Sequence, residues 1–162
     1  MAAGPDFPDF HIPHLEKIEW MIETSGWAIE PVAPDPESDP PRPAYEYTIG
    51  LTELTGFPEI AVFGLTPVAA RGLFGLVVDM LQGGTEIPLG TELVGLFDND
   101  LRCVFAPIDL DAWGAWFTTG LAWHRGGFDL VQLLWPDRNG FLPTEAGYAQ
   151  HMRLAQPILA AV

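Results

Sequence analysis

Apolar residues recur at helical spacing in the first part of the chain. From Pro13 onward, Leu15, Ile18 and Ile22 repeat every three or four positions, while glutamates occupy the opposite side. This pattern predicts an amphipathic helix that ends near Ser25. Further helices are predicted from Thr66-Pro67 to about Gln82, from Asp109 or Asp111 through Phe117, and from Thr144 to Pro157.

Other segments alternate between apolar and polar residues, which is typical of β-strands. In the clearest case Tyr45, Tyr47, Ile49 and Leu51 share one face of a strand. Glu46, Thr48 and Gly50 share the opposite face. The strands are predicted at Trp27–Val32, Tyr45–Leu51, Glu59–Gly64, Leu93–Phe97, Leu101–Ile108 and Phe128–Trp135, with a hairpin-like turn at Asp98-Asn99-Asp100.

This mixture of helices and strands predicts a single α+β domain over residues 1–162. We expect a mixed or mostly antiparallel sheet with three to four helices packed on it. Between the first two strands, residues 31–44 contain six prolines together with three acidic residues. Because proline fixes φ and lacks an N–H donor, this segment is predicted to be an acidic surface loop within the domain.

The net charge of the chain limits the classes of partner that it can bind. The 162 residues include 7 Lys and Arg against 22 Asp and Glu, which gives a net charge of −15, and residues 1–60 alone carry −10 (12 acids, two bases). So few basic residues cannot form the patch that binds nucleic acid, and the acidic first part repels anionic membranes. We expect a basic protein or a small molecule as the partner. A homodimer also stays open, because six Trp and ten Phe are many for one small core.

Targeting signals are not evident in the sequence. Residues 1–14 lack a basic segment followed by an apolar run. No stretch reaches the roughly 20 apolar residues that span a bilayer. We therefore expect a soluble, cytoplasmic protein.

The sequence contains no phosphate-binding loop, nucleophile elbow or paired-cysteine motif, so no cofactor is predicted. His11 and His14 are three positions apart and flanked by acids, a spacing compatible with a metal pair. Pro13 between them and the nearby terminus favour a surface cluster, so no metal site is predicted. Cys103 lies in an apolar strand and is interpreted as an inert buried thiol.

Several ordered motifs carry a family resemblance. They are YTIGL at Tyr47–Leu51, PEIAVFGL at Pro58–Leu65, VQLLWPDRNGFLP at Val131–Pro143 and the closing Gln156-Pro157. The chain resembles a bacterial family described as domain of unknown function 4262, over nearly its whole length. The proline-rich insertion departs from the family pattern. The resemblance implies one domain and no particular activity.

The resemblance directs attention to polar residues within these motifs. The candidate pocket residues are Tyr47, Thr48, Glu59, Gln132, Trp135, Asp137 and Arg138. We expect Thr48 and Glu59 to lie near the corner formed by residues 135–138, where they would form a small polar pocket with aromatic walls. In the alternative interpretation, Asp137 is a turn residue that binds backbone N–H groups, and Gln132 ties neighbouring backbone instead of lining a pocket.

Two functions from different classes follow. The first is a binding or interaction domain, whose association with a cationic partner would be fast and sensitive to salt. The second is a small-molecule enzyme or ligand-binding protein, in which Glu59 or Asp137 does general acid–base work and Arg138 holds an anionic substrate. His124 is a weaker candidate for this role, because a lone His beside a Gly-Gly turn is more often a surface residue. A flavin-binding barrel, suggested by the short strands, is a third alternative.

Overall fold

The computed structural model describes residues 13–161, and a five-stranded mixed sheet forms its centre. The strands are β1 (Ala28–Val32), β2 (Tyr45–Ile49), β3 (Glu59–Phe63), β4 (Val104–Pro107) and β5 (Leu130–Leu134). Their order is β1-β2-β3-β5-β4, with β3 and β5 parallel and the other pairs antiparallel. The predicted single α+β domain with a mixed sheet is confirmed.

Helices cover both faces of the sheet. They are α1 (His14–Ser25), α2 (Leu51–Thr55), α3 (Pro67–Gln82), α4 (Leu110–Trp113) and α5 (Thr118–His124). The longest, α3, begins as its sequence predicts, because the Thr66 hydroxyl accepts a hydrogen bond from the N–H of Ala69 and Pro67 occupies the first turn. Within the described residues, no helix combines the length and apolar character required to cross a membrane.

The two faces of the sheet bury different sets of side chains. The face that carries Tyr45, Tyr47 and Phe63 is called here the tyrosine face, and it packs together with Ile18 of α1 and with Phe117. The opposite face, called the α3 face, packs on the apolar side of that helix. Its strand residues are Ile60, Val62, Phe105, Val131 and Leu133. Since both faces are covered, any polar side chain in the central strands must find its partners inside the protein.

The short helices differ from the predicted elements. The strand predicted to Leu51 ends at Ile49, and Leu51 instead opens α2. This helix lies between Gly50 and Gly56, whose φ values of 91° and 82° lie in the left-handed region. The helix predicted through Phe117 divides into α4 and a three-residue 3-10 helix at Gly114–Trp116, and α5, which was not predicted, begins at Thr118. The division follows from a tertiary contact, because the carbonyl oxygen of Trp116 accepts a hydrogen bond from the hydroxyl of Tyr45.

Two further predicted elements are wrong. Leu93 makes one isolated bridge with Cys103 instead of opening a strand to Phe97. The predicted helix from Thr144 to Pro157 consists of turns and a three-residue 3-10 helix at Gln150–Met152. Side chains replace the helical hydrogen bonds there: the carboxylate of Glu145 accepts the N–H of Leu142, and Arg153 donates to the carbonyls of Pro143 and Glu145.

The proline-rich segment runs along the surface. Asp35 and Arg42 exchange two backbone hydrogen bonds, of 2.8 and 2.9 Å, which close the segment into a narrow loop. Most of its residues are exposed. The loop leaves β2 free to pair with both β1 and β3.

Packing of α5 on the tyrosine face depends on a glycine. The N–H of Gly120 donates to the hydroxyl of Tyr47 at 3.0 Å. A Cβ atom at Gly120 would lie 2.8 Å from the Phe128 ring and 3.2 Å from the Tyr47 ring. We predict that Gly120→Ala lowers the free energy of unfolding by about 1–2 kcal/mol, because one ring must move in a packed site.

Gly72 in the middle of α3 provides the matched control. A Cβ atom there meets nothing within 4 Å, so Gly72→Ala should raise the free energy of unfolding by about 0.5–1 kcal/mol. Urea unfolding measures both changes. Equal effects of the two substitutions would contradict the packing described for α5.

Candidate functional site

The residues that the sequence places in one pocket lie at two ends of the sheet. Glu59 pairs with Leu130 where the parallel strands β3 and β5 begin, whereas Trp135 follows the last residue of β5. Five strand residues at about 3.3 Å each separate these ends by about 16 Å. The structure therefore does not bring Glu59 and Asp137 together, and the expected position of Thr48 and Glu59 beside the residue 135–138 corner is corrected.

The corner at residues 135–138 is held by hydrogen bonds within the protein. The indole N–H of Trp135 donates to the carbonyl of Phe63 at 2.7 Å, and its backbone N–H donates to the side-chain oxygen of Gln156 at 3.0 Å. The side chain of Arg138 is exposed. The first contact holds the loop after β5 against the end of β3, and the second attaches it to Gln156 near the end of the chain.

Asp137 organises the same loop. Its carboxylate accepts backbone N–H groups of Asn139, Phe141 and Ala149 at 2.8–3.0 Å. Burial alone would raise the pKa of Asp137, but these N–H donors outweigh burial and hold the pKa below its ordinary value. All these donors are backbone groups of the loop, so Asp137 acts as the turn residue of the alternative interpretation.

Gln132 ties backbone together in the same way. Its side-chain N–H donates to the carbonyl of Pro157 at 2.6 Å. Its side-chain oxygen accepts the N–H groups of Leu159 and Ala160 at 2.8 and 3.1 Å. The amide is fully buried and its contacts attach the C-terminal segment to the tyrosine face.

Tyr47 lies inside the tyrosine face and away from any opening at the corner. Burial, the largest cause, raises the pKa of Tyr47 to about 12, so the hydroxyl stays protonated at neutral pH.

The neighbouring carboxylate of Glu30 on β1 binds His14 of α1 at 2.8 Å and accepts the hydroxyl of Thr119 at 2.6 Å. His14 thus joins α1 to the sheet, while His11 lies outside the described residues.

At the other end of the sheet, Glu59 is fully buried and fully hydrogen-bonded. It accepts the Thr48 hydroxyl at 2.8 Å and the N–H groups of Gly50 and Leu51 at 2.9 and 3.1 Å. The oxygen of Thr48 in turn accepts the N–H of Ile60 at 2.9 Å. Thr48 and Glu59 are therefore in contact, and together they close the end of the β2–β3 pair.

His124 completes the contacts of Glu59. Its Nε2 lies 3.1 Å from Glu59 Oε2, and its ring stacks on Phe128 with centroids 4.6 Å apart. The hydrogen bond with Glu59 is the largest cause that raises the pKa of His124, against burial, which lowers it. The side chain is only 12% exposed, so the interpretation of His124 as a surface residue is wrong.

Glu53 brings a third ligand-type side chain to this end. Ligand atoms of Glu53, Glu59 and His124 all lie within 4.8 Å of one another, and Glu53 is exposed. Among the described residues, this is the group whose donor atoms could hold a metal ion.

A cavity of about 350 Å³ opens on the α3 face, between β1, α3 and the end of α1. Glu46 of β2 lines it and is 4% exposed. Its Oε1 is buried and has no hydrogen-bond partner among the described residues. Burial raises the pKa of Glu46. The other lining residues are Met21, Ser25, Trp27, Ala28, Ile29, Pro31, Pro67 and Arg71.

The sequence pattern shows on which face of β2 Glu46 lies, but it does not show that this face is covered. The alternation in β2 places Glu46 opposite Tyr45 and Tyr47, and the covered α3 face turns that position into a buried one. The prediction of the pocket did not include Glu46, because local alternation does not show that a helix from a later segment covers the second face. Local patterns predict neither α2 nor α5, so they do not indicate Glu53 as a candidate or the burial of His124.

The hydrogen bonds of Asp137 predict how the free energy of unfolding depends on pH. A carboxyl with a lowered pKa in the folded state stabilises the protein above its unfolded pKa, and this contribution is lost as pH falls through the folded pKa. Asp137→Asn should therefore destabilise the protein at neutral pH, with a deficit that shrinks as pH falls below the ordinary value of 3.8. Denaturant unfolding at several pH values measures this.

Asp129→Asn is the matched control, since Asp129 is exposed. It should leave the free energy of unfolding nearly unchanged at every pH. A deficit for Asp137→Asn that stays constant into acid would contradict the role assigned to that carboxylate.

Comparison with known proteins places the chain in a family. The model of a family described as domain of unknown function (DUF4262) matches residues 21–149. Comparisons with curated proteins and with solved structures give no match. The matched segment includes β1 to β5, α2 to α5, Glu46 and the whole Glu59–His124 end of the sheet. The chain therefore belongs to the DUF4262 family.

Proposed function

We propose that this protein binds a small molecule that carries a protonated amine on an apolar body. The binding site is the cavity lined by Glu46 and Trp27, called here the Glu46 cavity. The observation that carries the proposal is the buried, unpartnered carboxyl oxygen of Glu46. This proposal keeps the binding class expected from the sequence and moves the site away from residues 135–138.

An unpartnered carboxyl is costly inside a protein. A buried polar group without a hydrogen bond costs about 1–3 kcal/mol, and more when it is charged. The other buried carboxylates of the sheet, Glu30 and Glu59, have several partners each. Glu46 differs from them in that its surroundings leave space for a ligand, which would supply the missing donor.

The cavity selects the chemistry of that ligand. A carboxylate only accepts hydrogen bonds, so the ligand must present N–H or O–H donors, and a cation forms the stronger, charge-assisted bond. Trp27, Ile29 and Met21 provide apolar walls. Aromatic side chains also attract ammonium groups. The volume of about 350 Å³ falls within the range of small-molecule sites.

Arg71 lines the cavity as well, but it does not neutralise Glu46. The guanidinium belongs to an exposed residue on α3. Burial raises the pKa of Glu46, and among the described residues Arg71 and Glu46 form no ion pair. The positive charge of Arg71 is screened by water, whereas that of a ligand beside the buried carboxyl would be screened far less.

A pair of matched probes tests the proposal. Phenethylamine and phenethyl alcohol have the same apolar body and differ in charge. We predict that the amine binds about tenfold more tightly or better, a difference of about 1.4 kcal/mol, and that Glu46→Gln reduces its affinity to the level of the alcohol. NMR titration, followed at the backbone amides of Ile29 and Glu46, measures the dissociation constants.

Glu23→Gln is the control for non-specific attraction. Glu23 is exposed on α1, so its loss reduces the overall negative charge equally but leaves the cavity intact. Its affinity for phenethylamine should match that of the wild type. Equal binding of amine and alcohol, or wild-type amine binding by Glu46→Gln, would refute the proposal.

A further inference from the structure

Three side chains from three different elements meet at the end of the sheet opposite the residue 135–138 corner. Glu53 comes from α2, Glu59 from β3 and His124 from α5. Their ligand atoms lie within 4.8 Å of one another. Glu59 and His124 belong to the tyrosine face, so this group is separate from the Glu46 cavity on the α3 face.

The contacts of Glu59 hold its carboxylate in one orientation. A carboxylate accepts about four hydrogen bonds. Three of the four contacts of Glu59 come from the Thr48 hydroxyl and the N–H groups of Gly50 and Leu51. The fourth position, on Oε2, faces His124. Donors that fix a ligating carboxylate in this way are a regular feature of metal sites in proteins.

The spacing of His124 and Glu59 fits a shared ion. Their atoms Nε2 and Oε2 are 3.1 Å apart. Two atoms bound to Zn²⁺ at about 2.0–2.1 Å in tetrahedral geometry lie about 3.3 Å apart. A neutral imidazole with its proton on Nδ1 presents the Nε2 lone pair to a metal. Stacking on Phe128 holds the ring plane in position.

We propose that Glu53, Glu59 and His124 form a site for a divalent transition metal, with Zn²⁺ as the preferred ion. One imidazole and two carboxylates are ligands that suit Zn²⁺, whereas Mg²⁺ and Ca²⁺ prefer oxygen ligands alone. Glu53 is exposed, so the remaining coordination positions are open to water or to a small ligand. The net charge of −15 adds a long-range attraction for cations.

Two substitutions distinguish a metal site from a Glu59–His124 hydrogen bond that only stabilises the fold. His124→Gln retains a side-chain N–H that can donate to Glu59 but removes the imidazole ligand. Glu53→Gln changes an exposed side chain and should leave the fold intact. The control Glu86→Gln removes one exposed negative charge from the loop after α3.

Titration calorimetry with Zn²⁺ on the full chain is the test, and Co²⁺ absorption spectra report the coordination directly. We expect one Zn²⁺ per chain, an affinity at least about tenfold weaker in each of Glu53→Gln and His124→Gln, and no change in Glu86→Gln. Absence of stoichiometric binding, or wild-type affinity in either ligand variant, would overturn the proposal. Neither result depends on the Glu46 cavity.

Discussion

The buried carboxylate of Glu59 holds together the ends of three elements of this structure. It accepts hydrogen bonds from the end of β2 and the start of α2, and it contacts His124 at the end of α5. Because both faces of the sheet are covered, water cannot supply these partners. The requirement for internal partners explains the left-handed Gly50, which turns the chain so that two consecutive N–H groups point at one carboxylate.

The same requirement separates structural from functional polar residues. Gln132, Asp137 and Glu59 are buried and satisfied, and each connects distant parts of the chain. Glu46 is buried to a similar extent, yet one of its oxygens has no partner among the described residues and a cavity lies beside it. A protein retains such a destabilising group most readily where a ligand completes its hydrogen bonds. The unpartnered oxygen of Glu46 therefore indicates where a ligand binds.

Local sequence patterns correctly predicted the elements that are stabilised by residues close to them in the sequence. The alternation at Tyr45–Ile49 and the Thr66-Pro67 start of α3 both gave the observed structure. Elements that depend on distant partners were missed. The helix α2 requires Glu59, and the turns after Pro143 require Arg153 and the guanidinium of Arg102, which donates to the carboxylate of Glu145. The prediction of the candidate site is limited in the same way, because it used local patterns alone. Thr48 and Glu59 were selected for their chemistry, but their distance from Asp137 follows from strand order, which local patterns do not contain. The basic partner and the homodimer stay predictions.

Glu46 Oε1 has no hydrogen-bond partner among the described residues, and the proposed ligand supplies one. The most direct measurement is the titration of its side-chain carboxyl by carbon-13 NMR, assigned with Glu46→Gln. We predict a pKa above the ordinary 4.5 in the free protein, because burial is the dominant influence, and a lower pKa when phenethylamine is bound. A pKa at or below 4.5 in the free protein would show that the carboxyl already has a partner, and it would refute the role proposed for Glu46.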